Sequence, residues 1–264
     1  MPGSVYVGTS GYSYSDWVGP FYPVGLPHEA MLAWYAREFP FVEINFTYYR
    51  LPTQRTFSSM LKKTPPDFIF TVKAYQSLTH GRGDSVGEDA GKFLHGLAPL
   101  VREGRLGAVL LQFPYSFHNT EENRRYLARL PELLGGVPLV VEFRNRGWAV
   151  PPVWELLHLL GLGYVCVDEP QLRGLVSRAI RCTAPVAYVR FHGRNAAKWW
   201  EHEAAYERYD YLYGEDELKE WVPGLVHLAE QSQKLFVAFN NHYQAKAVVN
   251  ARMLRRLLEE VGLV

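Results

Sequence analysis

The sequence predicts an α/β protein of the (β/α)8 type, a TIM barrel, and three observations predict it. Eight short apolar runs recur along 264 residues, a length usual for one such barrel. Most intervals between the runs carry apolar residues at helical spacing. In every run, polar residues gather at the C-terminal end of one face. The run at 137–144, VPLVVEFR, shows the pattern most clearly. Successive strand residues point to opposite faces, so Val140, Glu142 and Arg144 share one face while Val141 and Phe143 share the other.

The expected strands are 4–10, 41–47, 68–73, 108–113, 137–144, 163–168, 186–192 and 235–240. Between the first two, Leu32, Tyr35, Ala36 and Phe39 fall on one helical face. Thr53 is placed to cap a helix carrying Phe57, Met60 and Leu61. Phe93, Leu94, Leu97, Ala98 and Val101 mark the third helix, and Thr120 opens a fourth with Leu127, Leu130, Leu133 and Leu134 that stops at Gly135-Gly136. Pro151-Pro152 starts the fifth, holding Trp154, Leu157 and Leu160. The sixth unit is degenerate, since 168–186 offers only a short apolar segment at 172–176. Leu218, Trp221, Leu225 and Leu228 belong to the seventh helix; Ala247, Ala251, Leu254, Leu258 and Val261 belong to the last. Long connections follow strand 3 (75–88, rich in Gly) and strand 7 (193–214, rich in Trp and Tyr), on the face where lids are found. No linker divides residues 1–264, so one domain is expected.

Composition narrows the function. Lys and Arg number 28 against 27 acids, a net charge of +1 with the signs interspersed, which argues against a broad electrostatic surface for nucleic acid or membrane. The two cysteines, Cys166 and Cys182, have neither metal-type nor CxxC spacing. No basic-then-apolar leader opens the chain and no apolar run reaches membrane-spanning length, so a cytoplasmic protein without a membrane partner is expected.

The period-two rule assigns the strand tips. The face that turns polar holds Ser10; Glu43, Asn45 and Thr47; Thr71 and Lys73; Gln112; Glu142 and Arg144; Asp168; Arg190 and His192; Asn240 and His242. The alternate face is apolar throughout, with Val167 opposite Asp168. A barrel packs apolar side chains against its helices and collects ligand-facing groups at the top of its interior.

The pieces GTSGY (Gly8–Tyr12), FYP (Phe21–Pro23), VEIN followed by TYY (Val42–Asn45 and Thr47–Tyr49), VEFR with Trp148, RFHGR (Arg190–Arg194) and FNNH (Phe239–His242) resemble the YecE-like family, catalogued as a domain of unknown function, number seventy-two. The resemblance covers nearly the whole chain. It implies a TIM barrel and no particular activity; the likeness of some members to endonuclease IV and xylose-isomerase barrels is one of shape. The chain departs from the family pattern at Tyr12, where Trp is common, and at Asn145, where His often follows.

Several chemistries fit these tips. Glu43 and Glu142 could act as an acid/base pair, as in glycoside hydrolysis. Glu, Asp and His could hold a divalent metal, although no local signature such as HExxH marks one. Lys73, Arg144, Arg190 and Arg194 could clamp a phosphate or carboxylate while Glu142 or His192 moves protons. The basic groups after strand 7, with Gly193 permitting backbone donors, favour an anion site at Arg190, Lys73 and Arg194 near His192. The structural alternative is that the charges pair among themselves, Glu142 with Arg144 or Arg190, because buried charges need partners.

The expected function is therefore an enzyme (a hydrolase, lyase or isomerase) acting on a small anionic or sugar-like substrate by general acid/base chemistry. Glu43, Glu142, Asp168 and His192 are its candidate catalytic residues. Lys73, Arg144, Arg190, Arg194, Asn45, Tyr12, Trp148, Asn240 and His242 are its candidate substrate contacts. The competing class is a nucleic-acid binder or an endonuclease IV-like, metal-dependent phosphodiesterase, with Trp17, Tyr48, Tyr49, Trp148 and Trp199 stacking on bases.

Overall fold

A computed structural model describes residues 2–264. Eight parallel strands close in sequence order into a barrel: β1 (Ser4–Ser10), β2 (Phe41–Ile44), β3 (Ile69–Lys73), β4 (Leu106–Gln112), β5 (Leu139–Glu142), β6 (Gly163–Asp168), β7 (Val186–Phe191) and β8 (Lys234–Phe239). The expected runs find these strands to within a few residues. The second is shorter than expected, because Asn45 turns into a helical conformation (φ −110°, ψ −19°) and starts a 3-10 turn over Phe46–Tyr48. Thr47 thus leaves the barrel face and donates to Lys73 O at 2.6 Å.

The helices cover the outside. They are α1 (Met31–Tyr35), α2 (Gln54–Leu61), α3 (Val86–Arg102), α4 (Glu121–Leu133), α5 (Pro151–Leu159), α6 (Glu215–Lys219), α7 (Val222–Gln231) and α8 (Lys246–Glu260). Thr53 and Thr120 accept from the backbone N–H three residues on, as caps that satisfy otherwise orphaned donors. Gly136 follows α4 with φ +86°, a left-handed value that glycine adopts without a Cβ clash. No α-helix or strand lies between Asp168 and Val186, where the chain crosses as irregular backbone anchored by a bridge between Asn145 and Leu175. Among the described residues, no helix is long and apolar enough to cross a membrane.

The register fixes which residues face inward. Arg190 pairs with Val167 and Ala238, whereas Phe191 pairs with Asp168 and Phe239. Around the ring, Ser10 pairs with Glu43, Glu43 with Thr71, and Gln112 with Glu142. Paired residues of parallel strands point the same way, so the expected alternation is right for seven strands. It is inverted in β6. There Gly163, Val165 and Val167 face the interior, while Tyr164, Cys166 and Asp168 point toward the helices.

Candidate active site

The barrel interior is closed near its C-terminal end by one arginine. Arg190, 1% exposed, donates from Nε to Glu43 Oε2 (3.0 Å) and from Nη2 to Glu43 Oε1 (2.6 Å) and Ser10 Oγ (3.3 Å). Its Nη1 donates to Glu142 Oε2 (2.6 Å) and, at a longer 3.5 Å, to Gln112 Oε1. A guanidinium has five N–H donors, and all five are directed at these partners. Burial alone would lower its pKa, but Glu142 and Glu43 override that and hold it raised.

Glu142 is equally saturated. Its Oε1 accepts from Arg144 Nε (2.8 Å) and His192 Nε2 (3.1 Å), and its Oε2 accepts from Arg190. Burial would raise its pKa; Arg144, Arg190 and His192 together hold it well below the usual carboxylate range. His192 is fully enclosed, with Asn240 Nδ2 3.1 Å from its Nδ1. Burial, followed by the charge on Arg144, pushes its pKa down to about 3, so the ring is neutral. Arg144 reaches on to Glu169 Oε2 (3.1 Å). Glu43 accepts from Tyr188 OH (2.8 Å) as well as from Arg190.

Above this ionic floor lies a cavity of about 920 Å³, open at the C-terminal end of the barrel. Strand tips supply Lys73 and Gln112, while the turns that follow strands supply Tyr12, Tyr14, Asn45, Tyr49, Asn240 and His242. The long connection after β7 contributes Tyr206 and Tyr209, forming one wall. Lys73 Nζ donates to Gln112 Oε1 (2.9 Å) and stands 4.7 Å from the centroid of the Tyr48 ring. It forms no ion pair among the described residues. Burial, then the charge on Arg190, lowers its pKa to about 8, against the opposing pull of Glu142 and Glu43. Two polar atoms of the lining, Asn45 Oδ1 and His242 Nδ1, are buried without a hydrogen-bond partner. The His242 ring stacks on Tyr14 (4.5 Å, 4° between planes).

Several expected site residues are placed elsewhere. Glu43, Glu142 and His192 lie in the barrel interior but beneath the cavity, enclosed and fully bonded. A glycosidase pair is not available, because the Arg190 guanidinium fills the space between the two carboxylates. Asp168 is on the helix side, held by Arg194, Tyr213 OH (2.8 Å) and Trp221 Nε1 (2.8 Å). Arg194 follows it outward, pairing with Asp168 (2.8 Å) and Glu217 (3.0 Å), and so takes no part in an anion site with Arg190. Trp148 is fully buried in a stack with Phe143 (4.4 Å) and Phe117 (5.1 Å), its Nε1–H donating to Phe117 O. Arg144 is occupied by Glu142 and Glu169 and does not line the cavity. Lys73, Asn45, Tyr12, Asn240 and His242 do line it, as does one edge of Arg190. Among the described residues, no three His, Cys, Asp or Glu side chains converge as a metal site.

Tyr14, His28, Tyr49, Arg50, Tyr206 and Tyr209 also line the cavity, and strand alternation does not reach them. They stand in turns and loops, where no periodicity marks a direction. The adjacent aromatics of TYY were the one signal for Tyr49.

The profile of the family described as "Protein of unknown function DUF72" matches residues 6–263. The chain belongs to the DUF72 family. Like this chain, a DUF72 protein from Thermotoga maritima folds as a barrel in its crystal structure, with 43% identity, a TM-score of 0.90, and coverage of 97% of this chain and 99% of that one. A DUF72 protein from Enterococcus faecalis superposes with a TM-score of 0.86 at 27% identity, over 97% of this chain and 95% of its own. The UPF0759 protein YunF of Bacillus subtilis is 34% identical over 270 residues, covering 97% of this chain and 95% of its own length. The family match bears out the resemblance that the residue pattern suggested.

Proposed function

We propose that the protein is an enzyme acting on a small anionic or sugar-like substrate by general acid/base chemistry in the cavity above the Arg190 cluster. The observation that carries this reading is Lys73, a barrel-interior cation without a carboxylate partner among the described residues, on the wall of a substrate-sized cavity. Structural charges in a protein interior are paired, and Arg144 and Arg190 below it are. A lysine left unpaired there is suited to meet charge brought by a ligand. Cavities of about 300–1,000 Å³ suit small molecules, and the tyrosine-rich lining suits the face of a sugar ring. Asn45 Oδ1 and His242 Nδ1 stand ready for a substrate's hydroxyls, since a buried unpaired polar atom is unfavourable by about 1–3 kcal/mol until a partner arrives.

Lys73 also moves the proton in this reading. General acids and bases work best when their pKa lies near the operating pH, and a value of about 8 meets that condition. The saturated Glu142 and neutral His192 hold the floor rather than exchange protons with substrate. A metal-assisted route draws no support, because the carboxylates that would bind the ion already hold arginines.

A thermal-shift and turnover screen of phosphorylated sugars, sugar acids and neutral sugars tests the proposal on wild type and Lys73→Gln. Compounds combining one anionic group with hydroxyls should raise the melting temperature of the wild type, and the variant should lose the shift. If no such compound binds, while single-stranded nucleic acid binds with steep salt dependence, the small-substrate reading falls in favour of a nucleic-acid surface.

A further inference from the structure

We infer that Lys73 is a nucleophile toward a carbonyl carbon, and that the substrate is an aldehyde or ketone bearing an anionic group. This rests on the cavity's being a small-substrate site and names the class of substrate.

The geometry supplies each requirement of imine chemistry. Among the described residues, Lys73 is the one lysine lining the cavity, and it projects from the tip of β3. Its Nζ is positioned from two sides, by Gln112 Oε1 and by the Tyr48 ring. Gln112 Oε1 is itself within 3.5 Å of Arg190 Nη1, so the acceptor is anchored to the saturated floor. A neutral amine can therefore keep one N–H on Gln112 and offer its lone pair to a ligand in the cavity that Lys73 lines.

No carboxylate forms an ion pair with Nζ among the described residues to hold a proton there, and the fixed positive charge of Arg190 discourages one. Desolvated lysines beside another cation are activated in this way. Arg50, exposed at the mouth of the same cavity, can take the anionic end of the substrate while its carbonyl lies deeper.

The step balances without a further reactant. The Nζ lone pair forms a C–N bond to the carbonyl carbon, and the carbonyl π pair becomes an oxygen anion that takes a proton from the nitrogen. The resulting carbinolamine loses its hydroxyl as water, with the second N–H proton leaving as the C=N bond forms. One amine and one carbonyl give one imine and one water.

Glyceraldehyde 3-phosphate with sodium borohydride is the probe, because reduction makes the imine permanent and peptide mass mapping locates it. Glycerol 3-phosphate, with the same anion and no carbonyl, is the control. The expected result is an adduct on Lys73, formed on the order of a hundredfold faster near pH 7.5 than on lysines of ordinary pKa. It should be absent in Lys73→Arg of unchanged circular dichroism, and suppressed by glycerol 3-phosphate. Modification of exposed lysines such as Lys62 with Lys73 untouched overturns the inference. In that case, a thermal shift by glycerol 3-phosphate that Lys73→Gln abolishes leaves the small-anion reading standing. Absence of both signals removes the two together.

Discussion

On the floor of the cavity, Arg190 and Arg144 meet Glu43 and Glu142, two positive charges against two negative, with a neutral His192 filling the last acceptor position. On the wall, 73 and 45 are the telling positions: a lysine with an amide oxygen for company, and an asparagine whose Oδ1 touches no donor. Both regions hang from strand tips of the same barrel. Residue type therefore does not separate structural charge from functional charge here; completeness of pairing does. Glu169 marks the border, since Arg144 reaches only one of its oxygens and burial raises its pKa to about 7.

Breaking the floor should have the largest effect. Arg190→Met leaves Glu43 and Glu142 enclosed without a counter-charge, and the loss on chemical denaturation should be about 3–5 kcal/mol. A loss below about 1 kcal/mol would show that the floor is less tightly coupled than its geometry implies. Glu142→Gln should follow at about 2–3 kcal/mol, because the new amide turns an N–H toward an arginine that had an oxygen. This variant tests the floor as structure; unchanged stability with abolished turnover would return Glu142 to the mechanism.

The wall should respond with the opposite sign. The folded-state pKa of Lys73, about 8, lies below that of an unfolded lysine, so the unfolded chain binds more protons between the two values. Its contribution to stability is fully present above the unfolded pKa and falls as pH drops toward 8. Lys73→Met should accordingly be more stable than wild type by about 1–2 kcal/mol at pH 7, with a flatter stability profile between pH 8 and 10, as read by urea titration. A variant that loses stability would make the wall structural after all. Smallest is Asn45→Ala, expected to match wild-type stability or exceed it by up to about 1 kcal/mol, because its Oδ1 has no bond to lose and its burial without a partner is relieved. Calorimetry with any sugar phosphate that binds should then show affinity down about threefold to tenfold.

Much of this contrast was legible in the chain. Inward positions of β2, β3, β5, β7 and β8 end in Glu43, Lys73, Glu142, Arg190 and Asn240, so alternation alone brought them to one end of the barrel. Strand β6 defeated the same rule because its inward residues are Gly and Val, while its polar Asp168 faces partners supplied by Arg194, Tyr213 and Trp221, far along the chain. Alternation gives the face of a residue and not its partners. It could not tell that Arg190 has every donor engaged whereas Lys73 does not, which depends on side chains from five strands converging. The directions of Tyr14, Tyr206 and Tyr209 were illegible for a simpler reason: turns have no period.

Arg190 reaches from β7 to Glu43 on β2, Glu142 on β5, Ser10 on β1 and Gln112 on β4. A single side chain thus ties five of the eight strands across the lumen. Opening the tip of β2, β5 or β7 exposes a charge whose partner stays behind, so partial opening there is strongly unfavourable. Local fluctuations at the ends of β2, β5 and β7 should consequently be suppressed, and their amide hydrogens should exchange together, at the rate of global unfolding. The C-terminal rim, the part of such barrels usually given to mobile loops, is locked from within.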